Sequence, residues 1–175
     1  MPGLGPLRAG DQFAAGAADG PVSDEQCARD YVAPRLVFPA HSSPLDIKFD
    51  AHGSRAFISF HGSWNRESPV GYRIAVVDFN NATGQPVAPR DSTDAAVDVL
   101  SAPDLTACPD GCFRPVGLAW DRSGRLWFTS DSTGEIFLLQ QDAAGSDAAS
   151  VLLASRRTAA WAALLWAAVV IALVA

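Results

Sequence analysis

The sequence predicts an all-β chain made of about two β-propeller blades, and three observations carry that reading. Apolar residues alternate in short runs divided by Gly- and Pro-rich turns, and no long amphipathic helical pattern occurs before the last twenty or so residues. A unit of about 70 residues occurs twice: "PLDIKFDAHGSRAFISFHG" from Pro44 aligns with "PVGLAWDRSGRLWFTSDSTG" from Pro115 once Ser54 is taken as a one-residue insertion. Each copy spells a series of antiparallel strands, and four such strands per repeat describe a propeller blade.

Bulk composition sets the outer limits. The chain has 175 residues, 49% of them apolar, which is enough for a packed core. Its net charge of -6, its single lysine (Lys48) and the absence of any Lys/Arg cluster longer than a pair exclude nucleic acid as a partner, because phosphate binding needs a concentrated basic surface.

Residues 1–30 open on "PGLGPLRAGDQFAAGAADGPVSDEQC" and read as the end of a preceding blade or a linker. They contain neither a charged n-region nor a continuous apolar h-region, so they are not a secretory signal. With Cys27 left without a partner, this suggests that the natural chain begins earlier and that the 175 residues are a C-terminal piece.

Residues 31–142 hold the two blades. Each copy begins with a proline and a strand ending in an aromatic residue and Asp (Phe49-Asp50, Trp120-Asp121), followed by a Gly turn, a second apolar strand and a polar loop. "YRIAVVDF" is the third strand of the first copy and "AAVDVLS" a weaker fourth. "EIFLLQQ" is the third strand of the second copy, and its fourth is missing. One blade leaves a hydrophobic face exposed, and closure into a ring buries it and protects the strand edges; two blades do not close a ring. A final repeat that lacks its fourth strand fits a ring completed by a strand from the chain's N-terminal side.

In "CPDGCF" a Pro-Asp-Gly turn brings Cys108 and Cys112 within reach of a disulfide. Zinc would need further ligands, and His41, His52 and His61 stand in separate segments, so no metal ligands are assigned.

Residues 143–157 form a small-residue and polar linker, and 158–175, "TAAWAALLWAAVVIALVA", are an uncharged run of helix formers. The expected C-terminal hydrophobic helix is read as a GPI signal, with attachment candidates in "AAGSDAAS", or as a retained membrane helix with Arg156 and Arg157 at one interface. A helix packed on the domain fits least, because the run has no polar face.

In an antiparallel blade, the loop entering the first strand and the loop joining the second and third emerge at the same end. Those loops are "PAHSSP" and "HGSWNRESPVG" in the first copy, "CPDGCFRP" and "DSTG" in the second. They gather His41, His61, Trp64, Asn65, Arg66, Arg114 and Asp131 on one face, with His61 and Asp131 at equivalent positions one step past the second strand. Two arginines, two histidines and an indole around one mouth suit a flat ligand bearing carboxylates, which arginine binds bidentately and tryptophan stacks on.

The segments "AHSSPLDIKF", "AFISFHGSWNR", "GYRIAVVDF" and "CFRPVGLAWDRSGRLWFTSDSTGEIF" closely resemble the C-terminal blades of the glucose/sorbosone dehydrogenase family, most of all its fungal pyrroloquinoline-quinone (PQQ)-dependent pyranose dehydrogenases. The resemblance runs from about Gly10 to Gln141, and HGSWNR together with RPVG is specific. It implies a secreted six-bladed propeller that holds the quinone and calcium on one face of the channel and oxidises a sugar. It further implies a histidine base, calcium as Lewis acid, and hydride transfer to the quinone carbonyl.

Because the base and calcium ligands of such proteins lie largely in earlier blades, the catalytic base is left unassigned, with His61 a weak candidate. Arg66, Arg114, Trp64, His61 and Asn65 are expected at the cofactor, and His61, His41 and Asp131 at the substrate. The partners implied are a sugar, an external electron acceptor and, through the tail, a membrane; the location implied is the cell surface.

Plainer readings stand beside these. The histidines serve as hydrogen-bonding loop residues, Trp64 as a plug between blades, Arg66 as an ion pair with Glu67 or Asp46, Arg114 as a brace for the Cys108–Cys112 loop, and Asp131 as a turn residue. His52 belongs to the opposite end and has no role. Asn81 in "NNAT" matches the N-glycosylation acceptor pattern. At the level of function the alternatives are a non-catalytic propeller binding carbohydrate or protein through the same loops, and a degenerate fragment without activity.

Overall fold

The computed structural model describes residues 7–14, 20–141 and 149–154, and it is almost entirely β. The one α-helix among the described residues, α1 (Asp24–Asp30), lies in the segment expected as the end of a blade or a linker. Ser23 caps it by accepting from the Gln26 N–H, and Asp24, Glu25 and Arg29 suit the helix dipole. Arg90 donates to the Gly10 carbonyl at 2.6 Å and so ties this segment to the first blade.

The first sheet contains β1 (Pro44–Phe49), β2 (Arg55–Phe60), β3 (Arg73–Asn80), the two-residue β4 (Gln85–Pro86) and β5 (Val97–Ser101). β1, β2 and β3 pair antiparallel in sequence order; the outer edge of β3 is shared by β4 near Phe79 and by β5 from Arg73 to Val76. The second sheet is β6 (Pro115–Trp120), β7 (Leu126–Ser130), β8 (Glu135–Gln141) and β9 (Ala149–Ala154), in that order. Repeat register holds in detail. Asp50 and Asp121 each close a turn whose glycine, Gly53 or Gly124, takes a positive φ, and Ser54 is the extra residue of the first turn.

One expectation is corrected. The second blade does have a fourth strand, since β9 pairs with β8 from Gln141–Ala149 to Ile136–Ala154. Ala149 and Ser150 read as linker because they are small. The unpaired edge of β8 nonetheless needs a backbone partner, and a ladder takes it from main-chain groups whatever the side chains. The hydrophobic tail at 158–175 lies outside the described residues; among those described, no helix is long and apolar enough to cross a membrane.

The blades meet face to face, with β1 and β2 against β6. Ile74 of the first blade is buried with Leu118, Leu126, Phe128 and Leu139 of the second, and Phe57 sets its edge on Trp120 at 5.1 Å between ring centres. Two polar groups cross this apolar contact. The Ser59 hydroxyl accepts from the Asp46 N–H at 3.0 Å and donates to the Val116 carbonyl at 2.6 Å. Asp46 Oδ2 accepts from the Leu118 N–H at 2.8 Å, while its Oδ1 takes Ile47 N–H and Lys48 Nζ at 2.8 and 2.7 Å. Both strands are bulged where these bonds form, between Pro44 and Asp46 and between Pro115 and Leu118, and the bulges free the backbone groups involved.

Burial raises the Asp46 pKa, but hydrogen bonds from Lys48, Leu118 and Ile47 and the charge of Lys48 outweigh it, so the net shift is downward. A carboxylate lowered on folding contributes stability above its unfolded pKa of about 3.9, and that contribution is lost as pH falls through the folded value. Asp46→Ala is expected to cost about 1–3 kcal/mol at neutral pH by leaving the Leu118 N–H without its acceptor. Urea unfolding from pH 7 to pH 3 checks this: the difference between the two proteins should shrink as pH drops below about 4.

Candidate functional site

Tyr72 organises the end of the first blade. It is fully buried, its φ is +58°, and its hydroxyl donates to the Ser63 carbonyl. Gly62 (φ +93°) lies on its ring so closely that a Cβ there would stand 2.7 Å from ring carbons. Gly71 (φ +91°) in turn would place a Cβ 2.6 Å from the Gly62 Cα. The Ser63 N–H donates to the Val70 carbonyl at 2.9 Å, and the Val70 N–H to Ser63 Oγ at 3.1 Å. These bonds close a neck from which residues 64–68 project, exposed to solvent.

The loop entering β1 is laced to the same neck. Its Ser43 and Ser42 carbonyls accept from the His61 and Gly62 N–H groups at 2.9 and 3.0 Å, and both His41 and Ser43 hold positive φ. Non-glycine residues in this conformation store strain, and three of them (His41, Ser43 and Tyr72) meet at one end of one blade.

The second blade reaches across through Arg114. Its Nε and Nη2 donate to the His61 and Gly62 carbonyls at 3.3 and 2.9 Å, and its guanidinium lies 5.7 Å from the centre of the Tyr72 ring. Above it, His61 Nε2 stands 2.9 Å from both oxygens of Asp131; the imidazole is 19% exposed and the carboxylate 58%. A carboxylate facing Nε2 holds a proton on that nitrogen and leaves Nδ1 as the acceptor of the neutral ring. The Cys108–Cys112 disulfide forms, with Cα atoms 5.2 Å apart, and packs beneath the mouth with Tyr72 and Ala102.

The structure thus brings His61, Asp131 and Arg114 into one cluster that spans both blades. Trp64 (74% exposed), Asn65 and Arg66 stand together on the projecting loop, and His41 is exposed on the neighbouring one. Of the plainer roles, Arg66 pairs with neither Glu67 nor Asp46: its Nε donates to the Ser68 carbonyl at 3.2 Å, and Lys48 occupies Asp46. Arg114 braces the backbone at His61 and Gly62 rather than the disulfide loop. Among the described residues, no group of three or more His, Cys, Asp and Glu is placed to hold a metal ion. Sequence reasoning missed Tyr72, Gly71, Ser42 and Ser63. The available signal was the length of the first blade's loop, 61–72 against 131–134 in the second, because a long loop needs an anchor at its base.

Two antiparallel blades that share one polar mouth define a piece of a β-propeller. The sequence profile of the family described as TrAA12-like matches residues 1–142, and the chain belongs to that family. The PQQ-dependent sugar dehydrogenase of Hypocrea jecorina is 55% identical over 143 residues, covering 82% of this chain and 31% of that protein. The PQQ-dependent pyranose dehydrogenase of Coprinopsis cinerea is 36% identical over 146 residues, covering 78% and 20%. Among solved structures, a calcium form of a Trichoderma reesei protein of Carbohydrate-Active Enzymes family AA12 is similar with a TM-score of 0.75 at 58% identity, covering 81% of this chain and 35% of that one. The holo form of the Coprinopsis cinerea pyranose dehydrogenase PQQ domain follows at 0.70 and 35% identity, covering 78% and 36%. The chain therefore spans about a third or less of the proteins it matches, and the resemblance read from HGSWNR and RPVG leads to the family that the profile and relatives show.

The neck makes its own prediction. Gly62→Ala adds a steric conflict to an unfavourable φ and is expected to cost more than about 2 kcal/mol. Gly53→Ala, at φ +68° with open space around it, should cost only about 1 kcal/mol. Urea unfolding of the two variants side by side checks the order.

Proposed function

We propose that this chain supplies the last two blades of an extracellular, six-bladed, PQQ-dependent sugar dehydrogenase, and that the mouth formed by His61, Trp64, Asn65, Arg66, Arg114 and Asp131 is its share of the cofactor and substrate pocket. The observation that carries the reading is the contact of His61 with Asp131 across the two blades, seated on Arg114. Names of the relatives support the quinone and the sugar as ligands, and a calcium form among the solved relatives supports the metal, whose ligands are assigned to other blades.

The residues present fit a flat, multiply carboxylated quinone. Trp64 offers an open indole face, and Arg66 has only its Nε engaged among the described contacts, so its terminal nitrogens serve a carboxylate. Arg114, with two of its donors already committed to backbone, contributes positive charge beneath the mouth and holds the loop in shape. When bound, the quinone supplies the acceptor for a hydride from the sugar carbon. His61, oriented by Asp131, holds or receives a proton at Nδ1 beside the substrate hydroxyl, and His41 lines the sugar side. The electron acceptor lies outside the chain. A surface location, through a GPI signal or a membrane helix at 158–175, belongs to the same reading.

The test uses the complete parent protein with quinone and calcium. Sugar-dependent dye reduction is expected, and its absence despite tight quinone binding would favour a non-catalytic propeller. Arg66→Ala should weaken quinone binding about 10- to 100-fold in titration calorimetry, the size of a lost charge-assisted hydrogen bond. Its unfolding midpoint should not change, because Arg66 is exposed. Arg114→Ala should lower both affinity and stability; unchanged quinone affinity in both variants removes the assignment.

A further inference from the structure

The turn that joins β3 to β4 holds two adjacent asparagines, and they do different work. Asn80 builds the turn: its Oδ1 accepts from the Ala82 and Thr83 N–H groups at 2.9 and 3.2 Å, and its carbonyl accepts from the Gly84 N–H at 2.8 Å. Gly84 takes a φ of +65° with open space around it, and the Gln85 N–H donates to Thr83 Oγ1 at 3.3 Å as the chain enters β4. The Asn81 side chain takes no part in these bonds. Its amide has no hydrogen-bond partner among the described contacts, and every residue from 80 to 85 is exposed.

Asn81, Ala82 and Thr83 form the one Asn-x-Ser/Thr acceptor triplet in the sequence, with no proline at its centre. The place of this triplet in the blade suits a bulky addition. β3 runs from the loop 61–72 to Asn80, so the turn stands at the end away from the mouth, with the hairpins of Asp50 and Asp121. It also leads into the outermost part of the sheet, and the outermost strands of propeller blades form the rim, away from the channel. A sugar at Asn81 meets water there and leaves His61, Trp64 and Arg66 unobstructed. The Cys108–Cys112 disulfide is a separate observation in the same direction, because such bonds form and persist in the oxidising compartments of the secretory route, where asparagine is glycosylated.

We propose that Asn81 carries an N-linked oligosaccharide. The donor is an oligosaccharide on a lipid diphosphate. Asn81 Nδ2 bonds to the sugar's anomeric carbon as the bond from that carbon to the diphosphate oxygen breaks; the amide proton passes to a base of the transferase and the lipid diphosphate leaves. Transfer takes place on the extended chain, where the Thr83 hydroxyl is free for the transferase to read; in the folded turn that hydroxyl accepts from the Gln85 N–H. The fold then keeps the product without breaking a contact, since Asn80 rather than Asn81 holds the turn. This inference rests on the extracellular reading, because only a chain that enters the secretory lumen meets the donor.

The test uses the complete parent protein, sent through the secretory pathway of a yeast host by an added leader, and mass spectrometry of its tryptic peptide 74–90, which contains the triplet. The expected result is a peptide heavier by an oligosaccharide, which peptide-N-glycosidase removes while converting the asparagine to aspartate. Asn81→Gln and Thr83→Ala should lose the sugar completely, and Thr83→Ser should keep it. Asn80→Ala should also keep it but lower the unfolding midpoint, whereas Asn81→Gln should unfold at the midpoint of the enzymatically deglycosylated parent. An unmodified peptide 74–90 on the secreted protein, or a sugar that persists on that peptide in Asn81→Gln, would overturn the proposal. Because the added leader supplies the route, either result counts against Asn81 alone; the extracellular reading is tested apart from it, by where the protein without the added leader is found.

Discussion

Arg114 is the interaction on which both the fold and the site depend. It stands at the entrance of the second blade, yet two of its donors are spent on carbonyls at the exit of β2 in the first. That choice fixes the distance between the blades at the end where the loops gather. It also explains why His61 can meet Asp131, since a side chain can only face its partner when its own backbone is held. Beneath Arg114, the buried Tyr72 and two glycines at positive φ leave the loop a single way to leave the strand. The strain at His41, Ser43 and Tyr72 is sustained by backbone bonds from three segments rather than by any one contact.

Much of this was legible in the residues. The repeat located seven of the nine strands described, the turn glycines and the Ser54 insertion, because strand period and turn chemistry are local properties. Pairing of the two cysteines was legible for the same reason. Equivalence between His61 and Asp131 followed from register, which is exact enough in a repeat to juxtapose two side chains 70 residues apart. What escaped is non-local or carried by backbone. β9 is held by a ladder whose short run, ASVLLA, lies beyond the repeat within a stretch taken as linker, and β4 is two residues long. Tyr72 looked like the first residue of a strand, and nothing in "VGYRIAVV" says that its ring will be covered by Gly62. The role of Arg114 was read from its side-chain type, a cation for an anion, when its nearest acceptors are peptide carbonyls.

The two ends of each blade divide the work. At the end away from the mouth, Asp50 and Asp121 lock short hairpins. The Asp121 carboxyl lies well below the usual carboxylate range because Trp127 Nε1 donates to it, with further bonds from the Arg125 and Ser123 N–H groups and the Arg125 guanidinium. These turns are closed by their own hydrogen bonds. At the mouth the first blade's loop, 61–72, is longer and is tied mainly at its base, so Trp64 and Asn65 at its tip stand exposed. A rigid base under an uncommitted tip is the arrangement that lets a loop bind without first having to be ordered.

The polar groups between blades show how a repeat can specify order as well as contact. Apolar faces alone would let equivalent blades pack in any sequence, because Phe57 and Trp127, or Trp120 and Phe49, differ little in what they bury. Asp46 removes that degeneracy at one junction. Its Oδ2 accepts from the Leu118 N–H, and a neighbour without that free donor would leave one oxygen of a half-buried carboxylate without its partner, at a cost of about 1 kcal/mol. Gly117, at the equivalent position of the second blade, has no carboxylate and makes no such demand, although the bulges at Pro44 and Pro115 give both blades the same backbone geometry there.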